Sequence, residues 1–563
     1  MITTTRLARS PRTIGKFGVA AAVAALTVFT SACGGTTDAA SGPSGEGREP
    51  VRGGTLNLAF FPDNVAFACI DPFQTYWIEH RSLIRNFADS LTDQNPETGA
   101  VVPWLATAWQ ISPDGLDYTF TLRDGVTFAD GAPLDAAAVK TNFDGFADLA
   151  RTSGGTAYGA SYIVGLESTQ VVDAKTVRFH FSKPNSSFLQ ATSTTNLALL
   201  SPASFQKTPQ QRCLGDVVGS GPFTLDNYTP NQGVSLSRRT GYHWPSALNK
   251  NPGDAYLDKV KVSYVAEDGV RTGNLVSGQI DIAWPRNPFT VEDRALIGRS
   301  GAYLRSRPLP GVSYTLYPNV SDGHPLADDQ IRQALYHAID LKTFAATIFG
   351  ADYPVVGGPF DNTTPYYAAQ SAKLTYDPAQ AARILDAAGW KIAPGDQYRS
   401  KDGKRLTLVQ PLSAASVGAE LIQDQLRQSG IELQLKTVTA AERPAVIANG
   451  QYDLVEGYFT RADPGALQFI LVEALANSKA LARNAQKPAA AAQIADLFTR
   501  AVQSTDATAR EQIYTELQRT LIDNGITFPL SERVQYAGIR NRVNGFRFTA
   551  ESFVDLHDVW IQP

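Results

Sequence analysis

Alternating apolar and polar residues predict a β-strand at the start of the folded body. Leu56, Leu58 and Phe60 are separated by Asn57 and Ala59. This period of two places alternate side chains on one face of a strand. The pattern suits either a strand at the edge of a sheet or a sheet with one polar face.

The next pattern predicts an antiparallel meander followed by a helix. Tyr118, Phe120 and Leu122 alternate with threonines, which predicts a strand. Two Asp-Gly pairs then bracket residues 126–128 and are typical of turns, because glycine tolerates positive φ. Residues 126–128 are therefore interpreted as a second strand. Asp135 is positioned to cap the helix that follows.

Helical and strand patterns alternate later in the chain. Residues 328–339 carry apolar side chains at helical spacing, and Asp377 followed by proline predicts the start of another helix. Strands are predicted at residues 406–412 and 431–438, on either side of a helix near residues 416–429. This alternation predicts an α/β lobe with strands buried between helices.

The N-terminus has the organisation of a secretory signal peptide. Residues 1–16 carry four basic residues and no acid, and residues 17–30 are almost wholly apolar. An apolar run of 14 residues is short for a hydrocarbon core of about 30 Å. The alternative is a single transmembrane anchor.

The expected cleavage site resembles a bacterial lipobox. Ser31, Ala32 and Cys33 fit that pattern and Thr30 departs from it, so we expect cleavage after residue 32 and lipid on Cys33. The alternative is ordinary cleavage with Cys33 as a bystander. The Gly-, Ser- and Thr-rich residues that follow, up to residue 50, lack a hydrophobic period and are interpreted as a flexible tether of about 20–25 Å.

Composition narrows the class of protein. Cleavage would remove four of the 50 basic residues and none of the 54 acidic ones, which leaves 531 residues with a net charge of −8. A chain of this length is expected to form two or three lobes. The acidic balance without a basic patch argues against nucleic acid as a partner. No second long apolar run follows, so the body is not expected to span a membrane.

The cysteines and motifs point to an exported protein without obvious catalytic chemistry. Cys69 and Cys213 remain once Cys33 is set aside, and in an exported protein a disulfide is favoured over two free thiols. The sequence contains no paired metal-ligand spacing, nucleophile elbow, dinucleotide fingerprint or phosphate loop. We therefore expect no catalytic residues, no metal and no cofactor, and an anchored hydrolase is the rival class.

Several stretches together resemble the family 5 extracellular solute-binding proteins of ABC importers, which bind oligopeptides, dipeptides and nickel chelates. The densest match is residues 102–143, where a Tyr-x-Phe-x-Leu-Arg strand is followed by Gly-Val-x-Phe and Asp-Gly-x-Pro. Further matches are residues 217–228, 331–340 and 555–561, in the family's order. One departure is an Ala-Ala pair, residues 137–138, where the family often has acids.

The resemblance implies an α/β fold of the periplasmic-binding-protein type: a two-lobed clam shell with an extra subdomain, its lobes joined by two hinge strands. A solute would bind in the cleft and the lobes would close on it, in the form that a permease recognises. The expected division is a signal peptide at 1–32, a tether at 33–50, a base lobe at 51–98, 205–308 and 536–563, an extra subdomain at 99–204, and a second lobe at 309–535.

Candidate solute-binding residues come from two strand ends. Trp284 follows a short strand and could point into the cleft. Leu454 and Val455 are interpreted as a strand, with a loop from Gly457 to Pro464 at the carboxyl end, where open α/β sheets place ligands. The candidates on that loop are Tyr458, Phe459, Thr460 and Arg461. Aromatic residues near the start of the body are cleft or core candidates: Phe61, Phe67, Phe73, Tyr76 and Trp77.

The candidate loop also bears on the solute. In the peptide-binding relatives, an acid shortly before an Asp/Glu-Pro pair holds the ligand's α-amino group. In this chain the corresponding position is Thr460 or Arg461, and neither can neutralise an ammonium group. We therefore predict that the solutes are neutral or anionic and that a free N-terminus is not required. The alternative is that Arg461 faces solvent or pairs with Asp463.

We expect a monomer on the extracytoplasmic face of a bacterial cell membrane, held there by its lipid anchor. Its solute is expected to be a peptide or peptide-like molecule, which it would deliver to ABC permease subunits. A metal chelate, an opine or a sugar are the alternative solutes, and a sensor is the alternative recipient.

Overall fold

A computed structural model describes residues 49–62, 68–153, 157–412, 416–439, 441–474, 479–482 and 488–563. Phe67 and Cys33, two positions singled out from the sequence, lie outside these ranges. The helices of eight residues or more within them are Ile78–Phe87, Ala136–Thr152, Asp268–Ser277, Val291–Arg299, Asp329–Ala338, Leu341–Phe349, Pro378–Ala387, Ala419–Gln428, Pro488–Gln503 and Ala507–Asp523.

A seven-stranded mixed sheet, here called the base sheet, contains the first predicted strand. Thr55–Phe60 lies in its interior, parallel to a neighbour on each side. The sheet-edge alternative is therefore wrong. Leu56 and Leu58 are buried on one face. On the other face Asn57 is partly buried, but Ala59 is fully buried in a second apolar cluster, so that face is only partly polar. In spatial order the strands are Ala302–Pro308, Val534–Arg540, Ile282–Ala283, Thr55–Phe60, Lys259–Tyr264, Gly233–Arg238 and Phe223–Thr229.

A four-stranded antiparallel sheet holds the predicted meander. Asp117–Leu122 is a strand, and the Asp135 carboxylate caps the following helix by accepting the Ala138 N–H at 2.9 Å. The second predicted strand, residues 126–128, is wrong. It forms only one isolated bridge, between Thr127 and Pro133, because the chain turns back after three residues. The strands in order are Ala106–Ile111, Asp117–Leu122, Thr176–Phe181 and Leu166–Asp173.

Apolar packing joins this four-stranded sheet to the base sheet. Its core includes Phe120, Phe143 and Phe179 together with Tyr242 and Trp244, which follow the base-sheet strand Gly233–Arg238. Because buried apolar contacts of this kind are costly to separate in water, the two sheets belong to one mechanical unit.

The remaining strands form the second lobe. Gly311–Pro318 lies between Leu454–Thr460 and Phe528–Ser531, antiparallel to both. Thr407–Leu412 pairs in parallel with Glu432–Thr437, and the predicted helix connects them. The predicted helix at residues 328–339 is observed as Asp329–Ala338, and Asp377 caps the helix Pro378–Ala387 by accepting the Gln380 N–H.

Two chain segments run side by side between the base sheet and the three-stranded sheet. One joins Pro308 to Gly311, and the other joins Ser531 to Val534. They are bonded to each other, because the Leu309 N–H donates to the Arg533 carbonyl at 2.7 Å. The fold is thus a two-lobed α/β clam shell with two hinge strands, as the resemblance implies.

The structure joins Cys69 to Cys213 by a disulfide, with the two sulfurs 2.01 Å apart. The neighbouring residues reinforce this link: the Ile70 N–H donates to the Cys213 carbonyl, and Arg212 pairs with Asp71 at 2.5 Å. Both sides of the link are buried, so the irregular segment before helix Ile78–Phe87 is fixed to the base lobe. Among the described helices, none has the length and apolar character needed to cross a bilayer.

Candidate functional site between the lobes

The strand Leu454–Thr460 carries the candidate residues to the junction between the lobes. The sequence predicted a loop from Gly457 to Pro464, and this is wrong for residues 457–460. The strand continues through Thr460 because it pairs with Gly311–Pro318, with one register shift near Tyr458. Residues 461–464 are irregular, as predicted. The strand's neighbour is antiparallel, so the strand-end rule for open parallel sheets does not describe the site. Tyr458, Phe459, Thr460 and Arg461 nevertheless all lie beside residues of the other lobe.

Tyr458 is surrounded by charged groups from both lobes. Its ring lies 5.8 Å from that of Tyr314 and 5.6 Å from the guanidinium of Arg533. Burial raises the pKa of Tyr458, while the positive charges of Arg286 and Arg533 oppose the rise. The phenol therefore stays neutral and acts as a hydrogen-bonding group with an apolar face.

Arg286, on the base-lobe side, is held between two aromatic rings. Its guanidinium carbon lies 4.7 Å from the ring centre of Phe61 and 4.5 Å from that of Trp77. Glu79, which is fully buried, pairs with it at 3.0 Å, and the Arg286 side chain is 24% exposed. A guanidinium stacked and paired in this way is held in one orientation with part of its edge accessible.

A second arginine–glutamate pair lies on the second-lobe side. Arg443 donates to Glu456 at 3.0 Å, and the Ser416 hydroxyl donates to the same carboxylate oxygen at 2.9 Å. The Glu456 charge acts on the hydroxyls of Tyr458 and Tyr314, raising the pKa of both together with burial. The region around Tyr458 is thus bordered by one ion pair from each lobe.

Phe459 lies in a series of stacked rings that crosses between the lobes. It stacks on Phe469 at 4.2 Å and lies 6.3 Å from Tyr76, which is itself 4.6 Å from Tyr158. Tyr76 and Tyr158 belong to the base side, and Phe459 and Phe469 to the second lobe. These rings provide an apolar surface beside the charged groups.

Thr460 and Arg461 make polar contacts across the junction. Arg81 donates to the backbone carbonyl of Thr460 at 3.2 Å, and the Thr460 hydroxyl accepts from Arg533 at 2.7 Å. The Arg461 guanidinium lies 4.0 Å above the ring of Tyr162 and 4.0 Å from Asp463, with only 4% of its side chain exposed. Arg461 therefore pairs with Asp463, the alternative that the sequence left open.

The other aromatic candidates occupy different surroundings. Trp284 is fully buried in the base-sheet core, between Phe60 and Phe548, and its indole N–H has no acceptor among the described residues. Phe73 is buried against Phe146 in the core of the four-stranded sheet. A solute contact of Trp284 stays a prediction, whereas its packing role is observed.

Sequence reasoning missed the charged groups of the site. Glu79 and Arg286 are 207 residues apart, and no local spacing connects them. One signal was available for Arg286, because it follows the same short strand end that singled out Trp284. The two ion pairs and the rings can bind a molecule that presents both charged and apolar groups.

Two lobes with a hinge and a ring-lined, charged junction define a solute-binding protein. Residues 100–472 match the family model described as bacterial extracellular solute-binding proteins, family 5 middle, and the chain belongs to this family. It is thus an extracytoplasmic solute-binding protein of the ABC importer type, in a family of binding proteins.

Individual relatives are similar over most of their length. The glutathione-binding protein GsiB of Salmonella paratyphi A is 28% identical over 386 residues, 68% of this chain and 69% of that protein. The nickel-binding periplasmic protein of Escherichia coli is 25% identical over 499 residues, 86% of this chain and 87% of that protein.

Solved structures share the fold. NikA from Brucella suis in complex with Fe(III)-EDTA has a TM-score of 0.77 at 24% identity, covering 90% of this chain and 100% of that one. The oligopeptide-binding protein AppA from Bacillus subtilis in complex with a nonapeptide has a TM-score of 0.73 at 17% identity, covering 92% and 100%. At these identities the likeness concerns the fold.

Proposed function

We propose that this protein captures a peptide or peptide-like solute in the cleft around Tyr458 and delivers it to an ABC permease. The observation that carries the proposal is the pair of arginine–glutamate contacts, Arg286–Glu79 and Arg443–Glu456, one from each lobe. A ligand that touches both lobes favours the closed form, because its binding free energy depends on their approach.

The chemistry of the cleft supports a peptide-like solute. A peptide has a charged group at each end and apolar or aromatic side chains between them. The side chains of Arg286 and Arg443 are 24% and 21% exposed, and their guanidinium groups offer planar donors to a carboxylate. The rings of Tyr76, Trp77 and Phe459 offer apolar surface. GsiB is named for glutathione and AppA was solved with a nonapeptide, which adds support from relatives. Nickel chelates, opines and sugars are the alternative solutes.

The expectation about the solute's N-terminus loses part of its basis. Arg461 is already paired with Asp463, so its charge gives no reason for repelling an ammonium group. The partly exposed guanidinium groups of Arg286 and Arg443 can bind the C-terminal carboxylate of a peptide. Our proposal therefore does not require an anionic solute.

Anchoring and organisation belong to the same proposal. Lipid on Cys33 would hold a monomer at the extracytoplasmic face of the cell membrane, and residues 33–50 would act as its tether. The division into a base lobe, an extra subdomain at 99–204 and a second lobe at 309–535 is kept as proposed from the sequence. Delivery to a sensor is the alternative to delivery to a permease.

Calorimetry with a defined peptide library tests the solute class. Each peptide is offered free, N-acetylated and C-amidated, to the protein and to Arg286→Gln. We expect at least one free peptide to bind, with affinity reduced on the order of tenfold in Arg286→Gln. Arg238→Gln is a matched control, because Arg238 forms a comparable ion pair with Asp258 on the base sheet and is 25% exposed. Failure of every peptide to bind, with retention of a chelate or sugar, would contradict the peptide assignment.

A further inference from the structure

A polar junction links the body that contains the four-stranded sheet to the second lobe. We call it the Asp463 junction, and it is formed by Tyr162, Ser186, Ser187, Arg461, Asp463 and Arg510. The first three residues belong to the body that shares its core with the base sheet. The other three belong to the second lobe, where Arg510 lies in the helix Ala507–Asp523.

Asp463 is the centre of this junction. Its carboxylate accepts hydrogen bonds from the Ser187 hydroxyl at 3.0 Å and, within its own turn, from the Gly465 N–H at 2.7 Å. It lies 3.7 Å from the Arg510 guanidinium and 4.0 Å from that of Arg461. The Asp463 side chain is 3% exposed. One buried carboxylate therefore compensates two buried guanidinium groups while bonding to a residue of the opposite lobe.

Backbone groups extend the junction. The Ser186 N–H donates to the carbonyl of Val502 at 2.9 Å, and the Ser186 hydroxyl donates to that of Ala501 at 3.1 Å. Arg510 donates in return to the Ser186 carbonyl at 3.4 Å. Residues 185–187 are thus held against the end of the helix Pro488–Gln503, in the opposite lobe.

The kinds of contact on the two sides differ. The four-stranded sheet joins the base sheet through a shared apolar core, which opens only at a large cost in exposed apolar area. It joins the second lobe at this junction through hydrogen bonds and ion pairs, which water can replace when the surfaces part. Opening at the hinge segments 308–311 and 531–534 would therefore separate the Asp463 junction and leave the shared core intact.

We propose that Asp463 is a positioning residue for lobe closure: it holds residues 185–187 to the second lobe as a reversible polar latch. A latch that raises the closed population tightens the apparent affinity for any solute that binds the closed form. The latch needs no contact between the Asp463 carboxylate and the solute, because it acts on the closed population. This role does not depend on the identity of the solute.

Hydrogen exchange of the exported protein, read at the Ser186 amide, tests the latch without a ligand. Asp463→Asn keeps the size of the side chain and removes its charge, and Ser187→Ala removes the bond from the opposite side. Both are expected to raise the exchange rate of the Ser186 amide, on the order of tenfold for Asp463→Asn. Small-angle scattering is expected to show a larger radius of gyration for the same variants.

Two controls separate a latch from general stability. Asp386→Asn removes an aspartate that pairs with Arg399 at 2.8 Å inside the second lobe, and it is expected to leave Ser186 exchange unchanged. The Phe181 amide, bonded to the Leu116 carbonyl within the four-stranded sheet, is expected to stay protected in every variant. Wild-type exchange at Ser186 in both latch variants would overturn the proposal. So would an equal rise at Ser186 and Phe181, since Asp463 would then support the fold as a whole.

Discussion

A carboxyl group of one hinge segment, that of Glu532, lies beside the carboxyl group of Asp361. Glu532 accepts the Asn362 N–H at 3.0 Å and is buried beside Asp361, which in turn binds the Arg533 guanidinium at 2.6 Å. Burial raises the pKa of Glu532 to about 8, and the negative charge of Asp361 adds to the rise while Arg533 opposes it. Tyr317, Tyr353 and Tyr367 also face this pair.

The raised pKa of Glu532 predicts how the free energy of unfolding changes with pH. An unfolded glutamate titrates near 4.5, so between that pH and about 8 the folded protein holds a proton on Glu532 that the unfolded chain has lost. The free energy of unfolding contributed by Glu532 is therefore present at low pH and falls as pH rises through this window. Glu532→Gln should be more stable than wild type at about pH 8. Its free energy of unfolding should also change less between about pH 5.5 and about pH 8 than that of the wild type. Urea unfolding at the two pH values measures this, with the exposed Glu511→Gln as control. An unchanged pH dependence in Glu532→Gln would contradict the assignment.

At the scale of single elements, Gly311 fixes the start of the strand that faces the candidate site. Its φ is +121°, and a Cβ added there would lie 2.1 Å from the carbonyl oxygen of Phe459. Gly311→Ala should therefore cost about 3 kcal/mol or more of unfolding free energy, from backbone strain plus the clash. Gly131 also has a positive φ, of +85°, and open space around it, so Gly131→Ala should cost about 1–2 kcal/mol. Thermal unfolding of both variants gives the comparison, and equal costs would show that the approach to Phe459 has no effect.

The disulfide is an element whose effect comes from the length of chain it closes. Cys69 and Cys213 are 144 residues apart, for which the chain-entropy model gives about 5 kcal/mol, less any native strain. Non-reducing peptide mapping of the exported protein should recover the two cysteines in one linked peptide pair. The double variant Cys69→Ser, Cys213→Ser should unfold at a lower denaturant concentration than the wild type. Free labelling of both thiols in the native protein would refute the pairing.

Local elements were predictable where their signals are local. Asp135 and Asp377 cap helices as predicted, because capping depends on neighbours in sequence. The predicted loop from Gly457 to Pro464 includes residues 457–460, which pairing with Gly311–Pro318 keeps extended. Contacts made only by folding, such as Arg286 with Glu79, leave no pattern in the sequence.

At the scale of the whole molecule, lipid attachment can be tested separately from solute binding. Several acyl chains at Cys33 would hold the protein firmly, since each buried CH₂ contributes about 0.8 kcal/mol and one chain alone binds marginally. Cys33→Ser should release the protein into the medium or leave it unprocessed, as fractionation and N-terminal mass analysis would show. A variant that is correctly cleaved and still membrane-bound would contradict lipid attachment, without bearing on the solute site.

The resemblance anticipated the two-lobed fold of the whole molecule because its motifs are spread along the chain in order. It could not anticipate the polar contacts between the lobes, which arise from side chains hundreds of residues apart, such as Ser187 and Asp463. Between the lobes, the polar contacts of the Asp463 junction lie beside one series of stacked rings, whereas continuous apolar cores lie inside each lobe. This difference is the physical basis for closure as a reversible event.

The proposed function requires the cleft to hold a small solute and to release it unchanged. Native mass spectrometry of the exported protein, after incubation with a metabolite and peptide extract and removal of the excess, tests this most directly. We expect one non-covalent molecule per chain, lost on unfolding and identical in mass before and after prolonged incubation. A bound molecule whose mass changes during incubation, or no retained molecule from any extract, would contradict it.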